Sequence, residues 1–166
     1  MRTYIRAYQP GGCYFFTVVT GGRAPHFSER SNVERLRHAF RHVMDKHPFV
    51  IDAVVVLPDH LHAIWRLPEG DADFSTRWRL IKHFVSRGWR GNASFWQPRF
   101  WEHLIRDKND WQRHLDYIHY NPVKHGMVEK PEDWEHGSYR KAKANGWYTE
   151  GWGHSEPASC RSMDIE

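Results

Sequence analysis

Residues 49–70 read FVIDAVVVLPDHLHAIWRLPEG. The run is rich in Val and Ile and is broken once, at Pro58-Asp59. It predicts two antiparallel strands, about 49–57 and 60–67, joined by a tight turn. Upstream, Val33, Leu36, Phe40, Val43, Met44 and His47 recur at steps of three and four, with Arg35, Arg37 and Arg41 between them. That spacing predicts a helix over 31–47, ended by Pro48. Before it, CYFFTVVT (13–20) lies between Gly11-Gly12 and Gly21-Gly22 and reads as a strand. Downstream, Asp73 or Ser75 can cap a helix over about 75–89, with Phe74, Trp78, Ile81, Val85 and Trp89 as its buried stripe. A loop containing Asn92 and Pro98 leads to a fourth strand, about 100–106. A third helix, about 110–120, is capped by Asp107 or Asn109.

The order is β-α-β-β-α-β with one helix added. It predicts the α+β class and a ferredoxin-like (split βαβ) antiparallel sheet with helices on one face. At 166 residues the chain is expected to be one domain, 1–145. Residues 146–166 are expected to form a C-terminal tail whose end is partly disordered.

Aromatic residues make up 15% of the chain, enough to supply both a core and a base-stacking surface. From Phe74 to Lys108 eight Lys and Arg oppose only Glu102 and Asp107, so this stretch carries +6 while the whole chain carries +4. Such an excess suits a polyanion partner or, equally, a solvated basic face. Cys13 and Cys160 give neither zinc-finger spacing nor a disulfide framework. The start, MRTYIRAYQPGG, lacks a signal-peptide apolar core, and no apolar run approaches the ~20 residues of a membrane span. A cytoplasmic protein without membrane association is the expectation.

His60 and His62 stand two apart on a strand, so both imidazoles project from one face, where they could share a divalent metal or simply be hydrogen-bonded. In the third helix Tyr117 and Asn121 lie one turn apart on one side. They could face a common site, or serve as a boundary tyrosine and a capping amide before Pro122. A tyrosine, two histidines, a polar oxygen and a basic aromatic surface together fit phosphodiester transesterification. A cation near the phenol stabilises its phenolate and offsets charge on the scissile phosphate. Tyr120 is the rival nucleophile should Tyr117 be buried.

His60-Leu61-His62 is similar to the histidine–hydrophobic–histidine signature of the HUH endonucleases. VVLPDHLHAIW, the run from Ser75 to Phe84, FWQPRFWEHLIRD and DYIHYNPVKHG together resemble the REP-associated tyrosine transposases, over about residues 4–139. The resemblance implies a ferredoxin-like fold, Tyr117 as nucleophile, and His60, His62 and Asn121 as ligands of Mg2+ or Mn2+. It also implies cleavage and rejoining of single-stranded DNA through a 5′-phosphotyrosine. The implied partner is a short extragenic palindrome folded as a hairpin, in a bacterial, nucleoid-associated setting, with the protein a monomer or homodimer.

Arg79, Lys82, Arg87, Arg90 and Arg99 are expected on DNA backbone phosphates. Trp96, with Phe95, Phe100 and Trp101, is a candidate for base stacking, although core packing claims at least half of that set. Lys124, His114 and His119 could contact phosphate or tune the tyrosine. Arg2, Arg6 and Tyr8 could reach flanking nucleotides from a mobile start, or be simply disordered. A non-catalytic hairpin or single-strand binding protein, and a metal-dependent phosphate-ester hydrolase, are the competing readings. Neither predicts a covalent protein–DNA adduct.

Overall fold

The structure, a computed structural model, describes residues 6–165. Four strands, β1 (Cys13–Val19), β2 (Val50–Val56), β3 (His60–Arg66) and β4 (Trp101–Leu104), form one sheet in the order β2-β3-β1-β4. All neighbours are antiparallel. This is the split βαβ arrangement the element order predicts. The β2–β3 hairpin turns at Pro58-Asp59, closed by Leu57 N–H donating to the His60 carbonyl at 2.8 Å.

Side chains alternate across the sheet, so its two faces differ. Tyr14, Phe16, Val18, Leu61, Ala63 and Trp65 point to one face. There α1 (Arg30–Lys46) and α2 (Phe74–Ser86) cover them with Leu36, Phe40, Trp78 and Ile81. Trp65 and Trp78 stack at 4.3 Å at the centre of that core. Phe15, Ala53, Val55 and Ile64 point the other way and are covered by α3 (Lys108–Lys124) through Leu115, Tyr117 and Ile118. His60 and His62 share the parity of Ile64 and therefore lie under α3.

Two helix ends depart from expectation. α2 stops at Ser86, and Gly88 then adopts φ 84°, a left-handed conformation natural to glycine. Trp89 thereby leaves the predicted stripe. It is 41% exposed and packs edge-on against His26 and Phe95. α3 runs past Pro122 to Lys124. Only one amide donor is missing at that proline, and the N–H groups of His125, Gly126 and Met127 close the end onto the carbonyls of Asn121, Val123 and Pro122.

The tail also departs from expectation, being packed through Ile165. A short helix, α4 (Tyr139–Ala144), places Tyr139 against Tyr148 and Trp152, and buried Cys160 joins the same cluster as Ile118. The Asp116 carboxylate anchors it, accepting from Tyr148 Oη at 3.1 Å and Ser159 Oγ at 2.7 Å. Tyr148 in turn contacts His119 Nδ1 at 2.7 Å. Among the described residues no helix is long and apolar enough to cross a membrane.

Candidate active site

The β1–β3 register sets the first half of the site. Thr17 lies opposite His62, and its hydroxyl meets His62 Nδ1 at 2.8 Å. His60 Nδ1 meets Asp59 Oδ1 at 2.6 Å. Burial pushes the Asp59 carboxyl up, but hydrogen bonds and charge from His60 and Arg23 outweigh that and hold it below its ordinary value. An ionised carboxylate only accepts, so His60 donates from Nδ1, and the neutral ring then has its lone pair on Nε2. Each histidine is thus oriented through Nδ1, the arrangement that presents Nε2 to a metal. Both rings are buried, with centroids 4.9 Å apart.

α3 supplies the other half. Asp107 caps it by accepting from Asp110 N–H at 2.7 Å. Tyr117, Asn121 and His125 follow at steps of four and so share one side. The Tyr117 ring lies 5.4 Å from His62, and the His125 ring 5.2 Å from His60. Asn121, fully buried, falls on the helical turn between those two contacts. Two imidazole nitrogens and an amide oxygen suit a divalent ion such as Mn2+ or Mg2+ that keeps other coordination positions for water or phosphate.

Lys124 Nζ donates to Tyr117 Oη at 3.1 Å and sits 4.8 Å from the ring centroid. Tyr117 is only 1% exposed, which invokes the rival. Tyr120, however, points to the tail, where burial and the charges of Glu156 and Cys160 raise its pKa, and it is not brought to the histidines. His119 is buried on the far side of α3, between Tyr148 and Ser138. His114 lies on Phe15 and joins His103 and Asp110 rather than Tyr117.

Of the predicted DNA-contact residues, Arg79, Arg87, Arg90 and Arg99 are exposed. Two others are used inside the fold. Trp96 is 4% exposed, packs on Phe27 and Phe95 and donates to the Lys82 carbonyl at 3.1 Å. Lys82 Nζ donates to the Gln97 carbonyl at 2.9 Å, and burial, with the Arg6 charge, lowers its pKa. Arg77, counted in the basic stretch, is buried against Asp71 at 2.8 Å. Arg6 is held to Glu102 at 2.6 Å and over the Phe100 ring, and Tyr8 stacks on Phe74, so neither is a free arm. Arg2 lies outside the described residues.

Two clefts flank the histidines. One, of about 430 Å³, is lined by Thr17, Arg23, Arg99 and Trp101, with Ile165 of the tail at its wall. The other, of about 340 Å³, is lined by Arg23, Asp59, His60 and His125. Arg23 borders both and was outside the basic stretch singled out in the sequence. Trp101, 39% exposed, is the member of the predicted stacking set left open to solvent.

No protein-family profile matches the chain. Over 152 residues it is 46% identical to the REP-associated tyrosine transposase of Escherichia coli (strain K12), covering 92% of this chain and 91% of the relative. It is 37% identical over 166 aligned residues to a putative REP-associated tyrosine transposase of Haemophilus influenzae (strain ATCC 51907 / DSM 11121 / KW20 / Rd), covering 92% and 94%. A solved structure of a REP-associated tyrosine transposase bound to a REP hairpin superposes with a TM-score of 0.84 at 41% identity, covering 99% of this chain and all of that one. Near-complete coverage at these identities, on the same fold, assigns the family: the chain belongs to the REP-associated tyrosine transposases.

Proposed function

We propose that this chain binds REP-type hairpin DNA and cleaves and rejoins single strands, with Tyr117 as the attacking group. The observation that carries the reading is the meeting of Tyr117 with His62 and Lys124, one helical turn from Asn121. A free phenol has a pKa of about 10 and is mostly protonated at neutral pH. The Lys124 ammonium beside Oη favours the phenolate, its proton passing to solvent. The phenolate oxygen attacks phosphorus and the P–O3′ bond breaks. The 5′-phosphate stays on Tyr117 and the 3′-oxygen leaves, taking a proton. Attack by a 3′-hydroxyl on the phosphotyrosine reverses the step and joins strands. His60, His62 and Asn121 would hold Mg2+ or Mn2+, which when bound polarises the phosphate and offsets its developing charge.

Exposed Arg79, Arg87, Arg90 and Arg99 are suited to backbone phosphates, and Arg23 and Trp101 at the clefts to the single strand entering the site. The test is a denaturing gel with a REP hairpin bearing a single-stranded extension. A covalent adduct should form with Mn2+, vanish with chelator, vanish in Tyr117→Phe and persist in Tyr120→Phe. Adduct formation by Tyr117→Phe refutes the assignment. Hairpin binding without an adduct under any metal condition supports the non-catalytic reading instead.

A further inference from the structure

We propose that His103, Asp110 and His114 form a second cation site, suited to Zn2+ or a similar divalent transition ion. Among the described residues this is the one group of three His, Cys, Asp or Glu side chains whose ligand atoms all lie within 4.8 Å of one another. His103 comes from β4, while Asp110 and His114 lie one turn apart at the start of α3. His103 Nε2 is 2.8 Å from Asp110 Oδ2, and His114 Nδ1 is 3.2 Å from Asp110 Oδ1. The two imidazoles stack at 4.6 Å with 17° between their planes.

An ion about 2.1 Å from each of three tetrahedral ligands needs ligand atoms about 3.4 Å apart. The observed separations, 2.8 Å to Oδ2 and 3.2 Å to Oδ1, are hydrogen-bonding distances that would open by about 0.6 and 0.2 Å as an ion enters. An ion seated between the three groups replaces the hydrogens they share, including the one through which His114 Nδ1 meets the Asp110 backbone carbonyl at 2.8 Å, and each imidazole then carries its proton on the other ring nitrogen. Two nitrogens and a carboxylate suit Zn2+, Co2+ or Ni2+. Arg106 N–H donates to Asp110 Oδ2 at 3.0 Å and fixes the carboxylate. Asp110 and His114 are buried, whereas the His103 side chain is 24% exposed and gives an ion its way in.

The site is separate from the paired histidines of β3. Phe15 stands between the two groups, its ring 4.9 Å from His114 and 5.3 Å from His62. The ion would join β4 to the first turns of α3, the helix that bears Tyr117, and so act as a clamp on that helix.

The experiment removes the β3 histidines first. Full-length His60→Ala/His62→Ala protein is titrated with Co2+, followed by its visible absorption, and with Zn2+, followed by thermal unfolding. It should bind one equivalent and unfold ~5–10 °C higher at a hundredfold excess of Zn2+ over Kd. Adding His103→Gln or His114→Gln, which retain hydrogen-bonding capacity toward Asp110, should abolish both signals while circular dichroism remains native. Absence of binding in the double variant overturns the proposal. So does binding that survives both glutamine substitutions.

Discussion

Replacing Lys124 tests the electrostatics of the proposed nucleophile. Nζ stands 3.1 Å from Tyr117 Oη. At that separation a unit charge favours the phenolate by about 1.3 kcal/mol in bulk water, and by about 5 kcal/mol at an effective dielectric constant near 20. Lys124 is exposed, which pulls the value toward the lower figure, to about 2 kcal/mol. Lys124→Met should therefore slow single-turnover adduct formation ~30-fold at neutral pH, read on a denaturing gel with saturating hairpin. The deficit should narrow as the pH approaches ~10, because the phenol then ionises without help. Lys124→Arg should recover most of the rate. A Lys124→Met enzyme with unchanged rate and pH profile would refute the argument that this ammonium activates Tyr117.

Thr17→Val keeps the shape of a buried side chain but removes the hydroxyl on His62 Nδ1. Mn2+ affinity, measured by electron paramagnetic resonance, should fall ~10–100-fold, and unchanged affinity would show that Thr17 does not orient the ligand. Stability should depend on His119. Burial holds its pKa down to about 3, against an ordinary 6.5. Between those values the unfolded chain takes up a proton that the folded protein refuses, so stability falls as pH drops from 6.5 toward 3 and levels off below. His119→Gln should flatten that dependence by an amount on the order of a few kcal/mol, measured as urea unfolding free energy at several pH values. Parallel curves for the two proteins would contradict it.

What the sequence disclosed follows from local periodicity. Alternation along β3 placed both histidines on one face, and steps of three and four predicted α1, α2 and the core of α3. The spacing of Tyr117 and Asn121 was readable for the same reason. Tertiary pairings were not readable. Thr17 reaches His62 from forty-five positions away in the chain, and only the β1–β3 register brings them together. Nothing local shows that Lys82 and Trp96 bond to backbone carbonyls rather than face solvent, or that Arg77 is buried on Asp71. For Lys124 the sequence left phosphate contact and tuning of the tyrosine as alternatives, because Pro122 looks like a stop, whereas α3 continues through it and brings the ammonium back to the tyrosine two turns earlier. His103, Asp110 and His114 lie within twelve positions, but a strand, a turn and a helix intervene. Their convergence required the β4–α3 corner to be known.

The antiparallel ladder between β1 and β3 makes the enzyme intolerant of small changes in chain length in one place and indifferent in others. Inserting or deleting a single residue in β3 would rotate everything beyond it to the opposite side of the sheet, sending an imidazole into the aromatic layer beneath α1 and α2. The exposed connection around Gly88–Ser94 carries no such parity and can lengthen or shorten freely. Surviving length variants of this chain should therefore cluster in that connection, and be missing from the seven residues that begin at His60.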